Sequence, residues 1–453
     1  MKRRPKSTTT IFDPDRQLEV VNKPVKWLEP YAGNPRIHDD RHVSEIAASY
    51  VALGIFNPII TDEKGVILAG HGRREAAIKL GLKTVPVIVI AGLSNAQKRA
   101  VRLADNKLTI NGRFDADRLR VELKYILKVD RDLAINATGF STTEIDLTLG
   151  LGKKPPRDDP ADALPDAGPI IVTRSGDLWL LGDHRLFCGD SRRISSFAKV
   201  VGREHARMVF SDAPYNVPVA GFVGGLGKVQ HTEFVCASGE MSKAEFIAFL
   251  RLVFENSAEF SVDGALHYQC MDWRHMGEML AAGEQVYSEL KNLCVWGKDR
   301  ASMGSHYRSQ HELIFVWKYG TAPHVNTVEL GKNGRYRTNL WSYPAPSRTG
   351  PNAELAWHPT VKSVTMIMDA IMDSSRQGET VLDPFGGSGS TLIAAEKTGR
   401  RARLIEYEPK YCDVTLRRWQ DLTGKQAVLA RTNQTFDEVL AAATKAQGRK
   451  EMA

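Results

Sequence analysis

Apolar positions in the first hundred residues switch between two periods. Val43, Ile46, Ala47, Tyr50 and Leu53 recur at helical spacing, and Gly54 stands where such a helix would stop. Residues 58–60 and 66–69 are short apolar runs on either side of Glu63, Lys64 and Gly65, which predicts two strands joined by a turn. Gly70-His-Gly-Arg-Arg opens a second helix that Gly81 closes. Residues 85–90 predict another strand, and Ser94 begins a helix running toward Asn106. Residues 20–110 thus read as a small α+β domain behind a basic flexible tail, residues 1–19. Residues 111–152 read as a helical connector.

Pro and Asp crowd residues 153–169, the pattern of a solvated linker and the clearest domain boundary. Over residues 170–432 strands and helices alternate, as in a mostly parallel, doubly wound α/β sheet. Residues 320–357, rich in Gly, Pro, Asn, Arg and Tyr, interrupt that rhythm and read as a loop-rich insert. Residues 433–453 read as a polar helix and tail.

The 453 residues are 42% hydrophobic and 25% charged, which excludes a wholly disordered or fibrous chain. A net charge of +8 is compatible with a polyanionic partner. No apolar run approaches the ~20 residues of a membrane-spanning helix. The basic start lacks the apolar segment of a secretory signal. The expectation is a cytoplasmic protein without a membrane partner. Cys188, Cys236, Cys270, Cys294 and Cys412 form no C-x-x-C pair, which speaks against a disulfide framework or a Cys-rich zinc site. His38, Asp39, Asp40 and His42 read as a solvated loop before a helix, so no metal is expected.

Two segments carry chemistry. The first surrounds Asp383, Phe385, Gly386, Gly387, Ser388 and Gly389: a strand enters a glycine loop and a helix starts near Thr391. Such a loop lets a ligand approach the backbone, and the helix N-terminus offers free N–H groups to an anionic end. Glu406 ends the next strand, about twenty residues on, where a carboxylate can grip ribose hydroxyls. A tight turn without a ligand and a nicotinamide site remain open on this segment alone. A phosphate P-loop does not, because Gly-Lys-Ser/Thr is missing. The second segment is Asp212, Ala213, Pro214 and Tyr215 after an apolar strand. A carboxylate, carbonyls in a stiff turn and a flat ring are what an exocyclic amine on a nucleobase requires. A turn with a buried tyrosine is the plainer alternative.

Together these segments resemble the amino-group DNA methyltransferases that use S-adenosylmethionine, in the permuted β-class order with the substrate motif first. Residues 176–190 resemble the family's opening strands, and Asp190 is then implied near the cofactor's adenine. Residues 307–314 resemble the segment before target recognition. His358-Pro-Thr-Val-Lys362 resembles the motif whose lysine lies by the methionine carboxylate. The resemblance covers about residues 170–419 and implies a Rossmann-like methyltransferase sheet that takes S-adenosyl-L-methionine and double-stranded DNA. Asp at the first motif position implies adenine N6; Ser would have suggested cytosine N4. The family usually has Pro where this chain has Ala213, but the acceptor there is a backbone carbonyl. The chain has no Pro-Cys dipeptide, which excludes cytosine carbon-5 chemistry. Lys332, Arg335, Arg337 and Arg348, interleaved with aromatics in the insert, suit DNA contact.

Residues 20–107 resemble the ParB/sulfiredoxin-like N-terminal domain. Its turn of Gly70, His71, Gly72, Arg73 and Arg74 suits a nucleotide or DNA phosphate. A homodimer and a role in restriction–modification are compatible with both resemblances. The rivals are cytosine-N4 methylation by the same machinery and a ParB-like DNA-binding adaptor with an inactive methyltransferase domain.

Overall fold

The computed structural model describes residues 18–451 except 113, 131–132, 134–136, 152–161, 163, 166–167, 218–238, 300, 302–305, 329–336 and 344–361. The chain divides into two compact units, Met1–Ser141 and Thr142–Ala453. No helix among the described residues is long and apolar enough to cross a membrane.

In the first unit, β1 (Val20–Pro24), β2 (Ile59–Asp62), β3 (Ile67–Ala69) and β4 (Thr84–Ile90) form a sheet in the order β1–β4–β2–β3. Only β2 and β4 pair in parallel. Helix α1 (Asp40–Leu53) starts where the Asp39 carboxylate accepts the His42 N–H at 2.8 Å, satisfying a donor that the first turn leaves free. Helices α2 (His71–Lys79), α3 (Asn95–Asn111) and α4 (Ala116–Val129) follow, and Ser94 and Gln97 cap α3 reciprocally. Val25, Leu28, Ile59, Ile67, Val85 and Val87 form the buried core.

The second unit begins with α5 (Thr142–Thr148), β5 (Leu178–Leu181), β6 (His184–Cys188), α6 (Ile194–Val201) and β7 (Ala206–Ser211). It continues with α7 (Lys243–Glu259), β8 (Ser261–Met271), α8 (Met276–Gly283), β9 (Glu289–Gly297), β10 (His311–Lys318) and β11 (Leu340–Ser342). Last come α9 (Val364–Ser374), β12 (Thr380–Asp383), α10 (Ser390–Thr398), β13 (Arg401–Glu406), α11 (Pro409–Thr423), β14 (Val428–Leu429), β15 (Gln434–Thr435) and α12 (Phe436–Glu451). The sheet order is β11–β9–β10–β8–β7–β12–β13–β6–β5–β14–β15. The central run β8–β7–β12–β13–β6 is parallel, as the alternation of strands and helices predicts, and β10 is antiparallel to β8. Side chains alternate across this sheet. Met208, Phe210, Val381 and Leu404 pack on α9, α10 and α11. Val209, Leu382 and Ile405 pack on α6, while Phe315 and Trp317 pack on α7 and α8.

Three boundaries differ from expectation. Helix α5, assigned to the connector, belongs to the second unit: Asp146 accepts from both terminal nitrogens of Arg400, at 3.2 and 3.1 Å, with side-chain exposures of 4% and 0%. Asp162, in the solvated linker, accepts the Val364 N–H at 2.8 Å and so fastens the start of α9. The second unit's core runs past residue 432 into the predicted C-terminal helix, where Phe436 is fully buried against Trp179, ring centroids 5.7 Å apart.

Candidate active site

β7 and β12 are hydrogen-bonded neighbours, with Met208 opposite Val381 and Val209 opposite Leu382. Because they run parallel, Asp212 and the glycine loop leave the sheet at the same edge. The chain then departs in opposite directions, from β7 through α7 to β8 and from β12 through α10 to β13. Such a reversal opens a crevice beyond the strand ends.

On one side of the crevice the loop is tied to its surroundings by its own backbone. Gly386 N–H donates to the Ile405 carbonyl and Gly389 N–H to the Gly386 carbonyl, each at 2.8 Å. Gly389 has φ 81°, and a Cβ there would lie 2.6 Å from the Thr415 methyl, so both backbone angle and space demand glycine. Asp383 accepts from Phe385 N–H at 2.9 Å and from the Thr391 hydroxyl at 2.6 Å, spanning the loop from end to end. The Ser388 carbonyl accepts from Arg418 at 3.0 Å. Phe385, half-buried, packs near Phe249 with centroids 6.1 Å apart. Glu406 stands on the next strand tip and accepts from Gly387 N–H at 2.7 Å and Glu408 N–H at 2.8 Å. Asp190 follows β6, whose Cys188 is opposite Glu406; Arg192 grips its carboxylate at 2.8–3.1 Å. Burial alone would raise Asp190, but Arg192 outweighs it and holds the acid below its ordinary range.

Burial is the largest influence on Glu406 and pushes it up to about 7, against the pull of its backbone donors. An acid raised in this way stabilises the folded protein fully below about pH 4.5, and that contribution is lost as pH rises toward 7. Ribose hydroxyls donate to the ionised form. Affinity for a ribose-bearing ligand should therefore climb from pH 6 to pH 8. Calorimetric titration with S-adenosylhomocysteine checks this, and Glu406→Gln should bind weakly with a flattened profile.

On the other side, four side chains form one buried network. Lys362 Nζ lies 2.7 Å from Asp212 Oδ2, 2.9 Å from Glu312 Oε2 and 3.1 Å from the Tyr215 hydroxyl. The hydroxyl is 2.7 Å from Asp212 Oδ1 and 3.1 Å from Glu312 Oε2, and its single hydrogen serves one of them. Lys298 pairs with the far oxygen of Glu312. Two carboxylates thus meet two ammonium groups. Burial pushes Asp212 up, with Lys362 opposing. Burial would also raise Glu312, but Lys362 and Lys298 hold it down to about 2. Burial would lower Lys362, yet Asp212 and Glu312 keep it well above the ordinary lysine range. Ala213 is buried beside this network and Pro214 is half-buried.

Several expected residues sit elsewhere. Lys362 touches the substrate-loop carboxylate, a partner its motif did not suggest. Glu312 was not among the expected site residues; its signal was an acid inside the otherwise apolar run of β10. Arg337 is no free DNA contact, because it donates to Asp373 at 2.9 Å and to Asp369 at 2.7 Å. Lys332, Arg335 and Arg348 lie outside the described residues. In the first unit, Gly70 does open α2, at φ 103°. Its neighbours, however, are committed to the protein: Arg73 donates to the Pro58 carbonyl at 2.7 Å and Arg74 to the Leu28 carbonyl at 3.0 Å. His71 accepts the Tyr31 N–H at 3.2 Å, and burial lowers it to about 4. A Cβ at Gly72 would meet His38 Nδ1 at 2.9 Å. These guanidinium groups brace the turn.

Comparison with known proteins agrees with the division into units. A DNA methylase family model matches residues 206–417, and a ParB N-terminal domain model matches residues 13–107. The ParB-like nuclease domain-containing protein YnaK of Escherichia coli (strain K12) is 45% identical over 83 residues, covering 18% of this chain and 95% of YnaK. The type II methyltransferase M2.MboI of Moraxella bovis is 24% identical over 234 residues, covering 48% of this chain and 81% of the relative. A crystal structure of an M1.HpyAVI–SAM complex is similar at TM-score 0.38 and 19% identity, covering 51% of this chain and 97% of that one. The substrate and glycine loops both fall within the methylase match, and the chain thus carries an N6/N4 DNA methylase domain, residues 206–417, behind a ParB N-terminal domain, residues 13–107.

Proposed function

We propose that this DNA methyltransferase moves a methyl group from S-adenosyl-L-methionine to the exocyclic N6 of adenine in double-stranded DNA. The observation that carries the reading is a half-buried Asp212 at the tip of β7, one strand from the glycine loop on β12. The cofactor, when bound, supplies an activated methyl on a sulfonium. The glycine loop and Glu406 suit its nucleoside half, with Asp190 on the adjoining tip. Asp212 and the Ala213 carbonyl would each accept one N–H of the target amine, drawing the nitrogen toward a pyramidal shape with its lone pair facing the donor. Tyr215 offers a flat face to a base that has left the helix, offsetting a few kcal/mol of unstacking. Positioning then supplies most of the acceleration. The raised affinity of Asp212 for a proton suits it to receive the one shed by the methylated amine. Lys332, Arg335 and Arg348 are assigned to DNA contact.

Incubation with tritiated S-adenosylmethionine and duplex DNA, followed by nucleoside analysis, tests the reading. N6-methyl-2′-deoxyadenosine is the expected product. N4-methylcytosine would replace the adenine assignment, and absence of label in any DNA would leave a DNA-binding adaptor.

A further inference from the structure

The Lys362 ammonium has three hydrogens and three partners: Asp212, Glu312 and the Tyr215 hydroxyl. Each Asp212 oxygen thus already has a donor beside it, Lys362 at Oδ2 and the tyrosine hydroxyl at Oδ1. A target amine competes with these donors for the same carboxylate. If Lys362 is displaced, a charged group, nearly out of contact with solvent, loses a counter-ion. Leaving a buried charge uncompensated is costly. Glu312 is placed to prevent that. It lies at the N-terminal end of β10, and because β10 runs against β8 this end reaches the edge where Asp212 emerges. Its Oε2 already holds Lys362, and its Oε1 is anchored by Lys298 on β9's exit.

We propose that Glu312 is a positioning residue: it retains Lys362 when the target amine takes Asp212, so that the substrate carboxylate is released without stranding the ammonium. The inference rests on the methyltransferase reading above. In Glu312→Gln, Asp212 becomes the sole carboxylate beside Lys362, and the lysine competes with the amine for it. In Glu312→Asp, the charge stays but withdraws by one methylene.

The test measures kcat on duplex DNA and the Kd for S-adenosylmethionine by calorimetry, for the full-length wild type and both variants. Glu312→Gln should lower kcat about 10–100-fold while the cofactor Kd changes less than about threefold. Glu312→Asp should fall between the two. Should the glutamine variant not fold, the aspartate variant carries the same prediction at reduced size. An unchanged kcat in both variants overturns the inference. So does a tenfold loss of cofactor affinity with kcat retained, which would assign the Glu312–Lys362 pair to the cofactor. A wild type that methylates no DNA removes the functional reading itself, and the inference with it; that result is distinct from an active wild type with active variants.

Discussion

Asp212→Asn should cut kcat for methyl transfer by about 10³-fold while the protein still folds and binds S-adenosylmethionine. Asparagine keeps the shape of the side chain but turns one acceptor oxygen into a donor. It also lacks the full negative charge with which a carboxylate pulls on the amine hydrogen and leaves density on the nitrogen. Removing one electrostatic partner of a transition state commonly costs 10²–10³-fold, and Asp212 is also the nearest proton acceptor. Lys362 keeps Glu312 at 2.9 Å, so the ammonium is not orphaned and the network should survive. The glycine loop is fastened through Gly386, Gly389 and Asp383, none of which touches Asp212 in the hydrogen-bond pattern. Kd for the cofactor should therefore stay within about threefold. Single-turnover kinetics with labelled cofactor decide the matter: a variant within tenfold of wild type would falsify the assignment of Asp212 to the reacting amine.

Asp146→Ala should lower the stability of the second unit by about 3–5 kcal/mol, because it leaves the fully buried Arg400 guanidinium without its carboxylate. Arg400 would retain the Thr398 and Ser375 carbonyls, at 2.6 and 2.8 Å, but no negative charge. Gln377, which donates to the same carboxylate at 2.8 Å, would lose its partner as well. For a unit of this size the calorimetric midpoint should fall by about 6–12 °C. Asp146→Asn, which preserves acceptor geometry on one oxygen, should fall less. A methyltransferase fragment beginning at residue 170, where composition places the domain start, should behave like Asp146→Ala. One beginning before Thr142 should melt like the whole chain.

That pair also shows where a linear reading stops. The two loops were legible as turns because their requirements are local: Gly389 answers a left-handed φ, and the Ala213-Pro214-Tyr215 turn puts carbonyls and a ring together within a few residues. The parallel sheet was legible from the alternation of strands and helices. Asp146 and Arg400 are separated by 254 residues, and nothing near either one announces the other. Glu312 and Lys362 are likewise joined only by β10 running against its neighbour. Arg337 was read as a DNA contact because basic and aromatic residues interleave around it. Its true partners, Asp369 and Asp373, are one turn apart on α9, and only the folded helix turns both toward it. Arg73 and Arg74 make a related point: two Arg beside a glycine turn look alike in sequence whatever they bind, and only the fold shows that they also hold the Pro58 and Leu28 carbonyls.

Asn216, directly after Tyr215, adopts φ 53°, a conformation Asn tolerates better than most residues. Its side-chain oxygen accepts the Gly239 and Met241 N–H groups at 3.0 and 3.2 Å, and its amide donates to the Met241 carbonyl at 2.8 Å. The polypeptide therefore departs from and rejoins one spot next to the substrate motif. Asn216 thereby yokes residues 239–241 to the turn that carries Tyr215, so a change at Asn216 is felt by the reacting turn through the backbone.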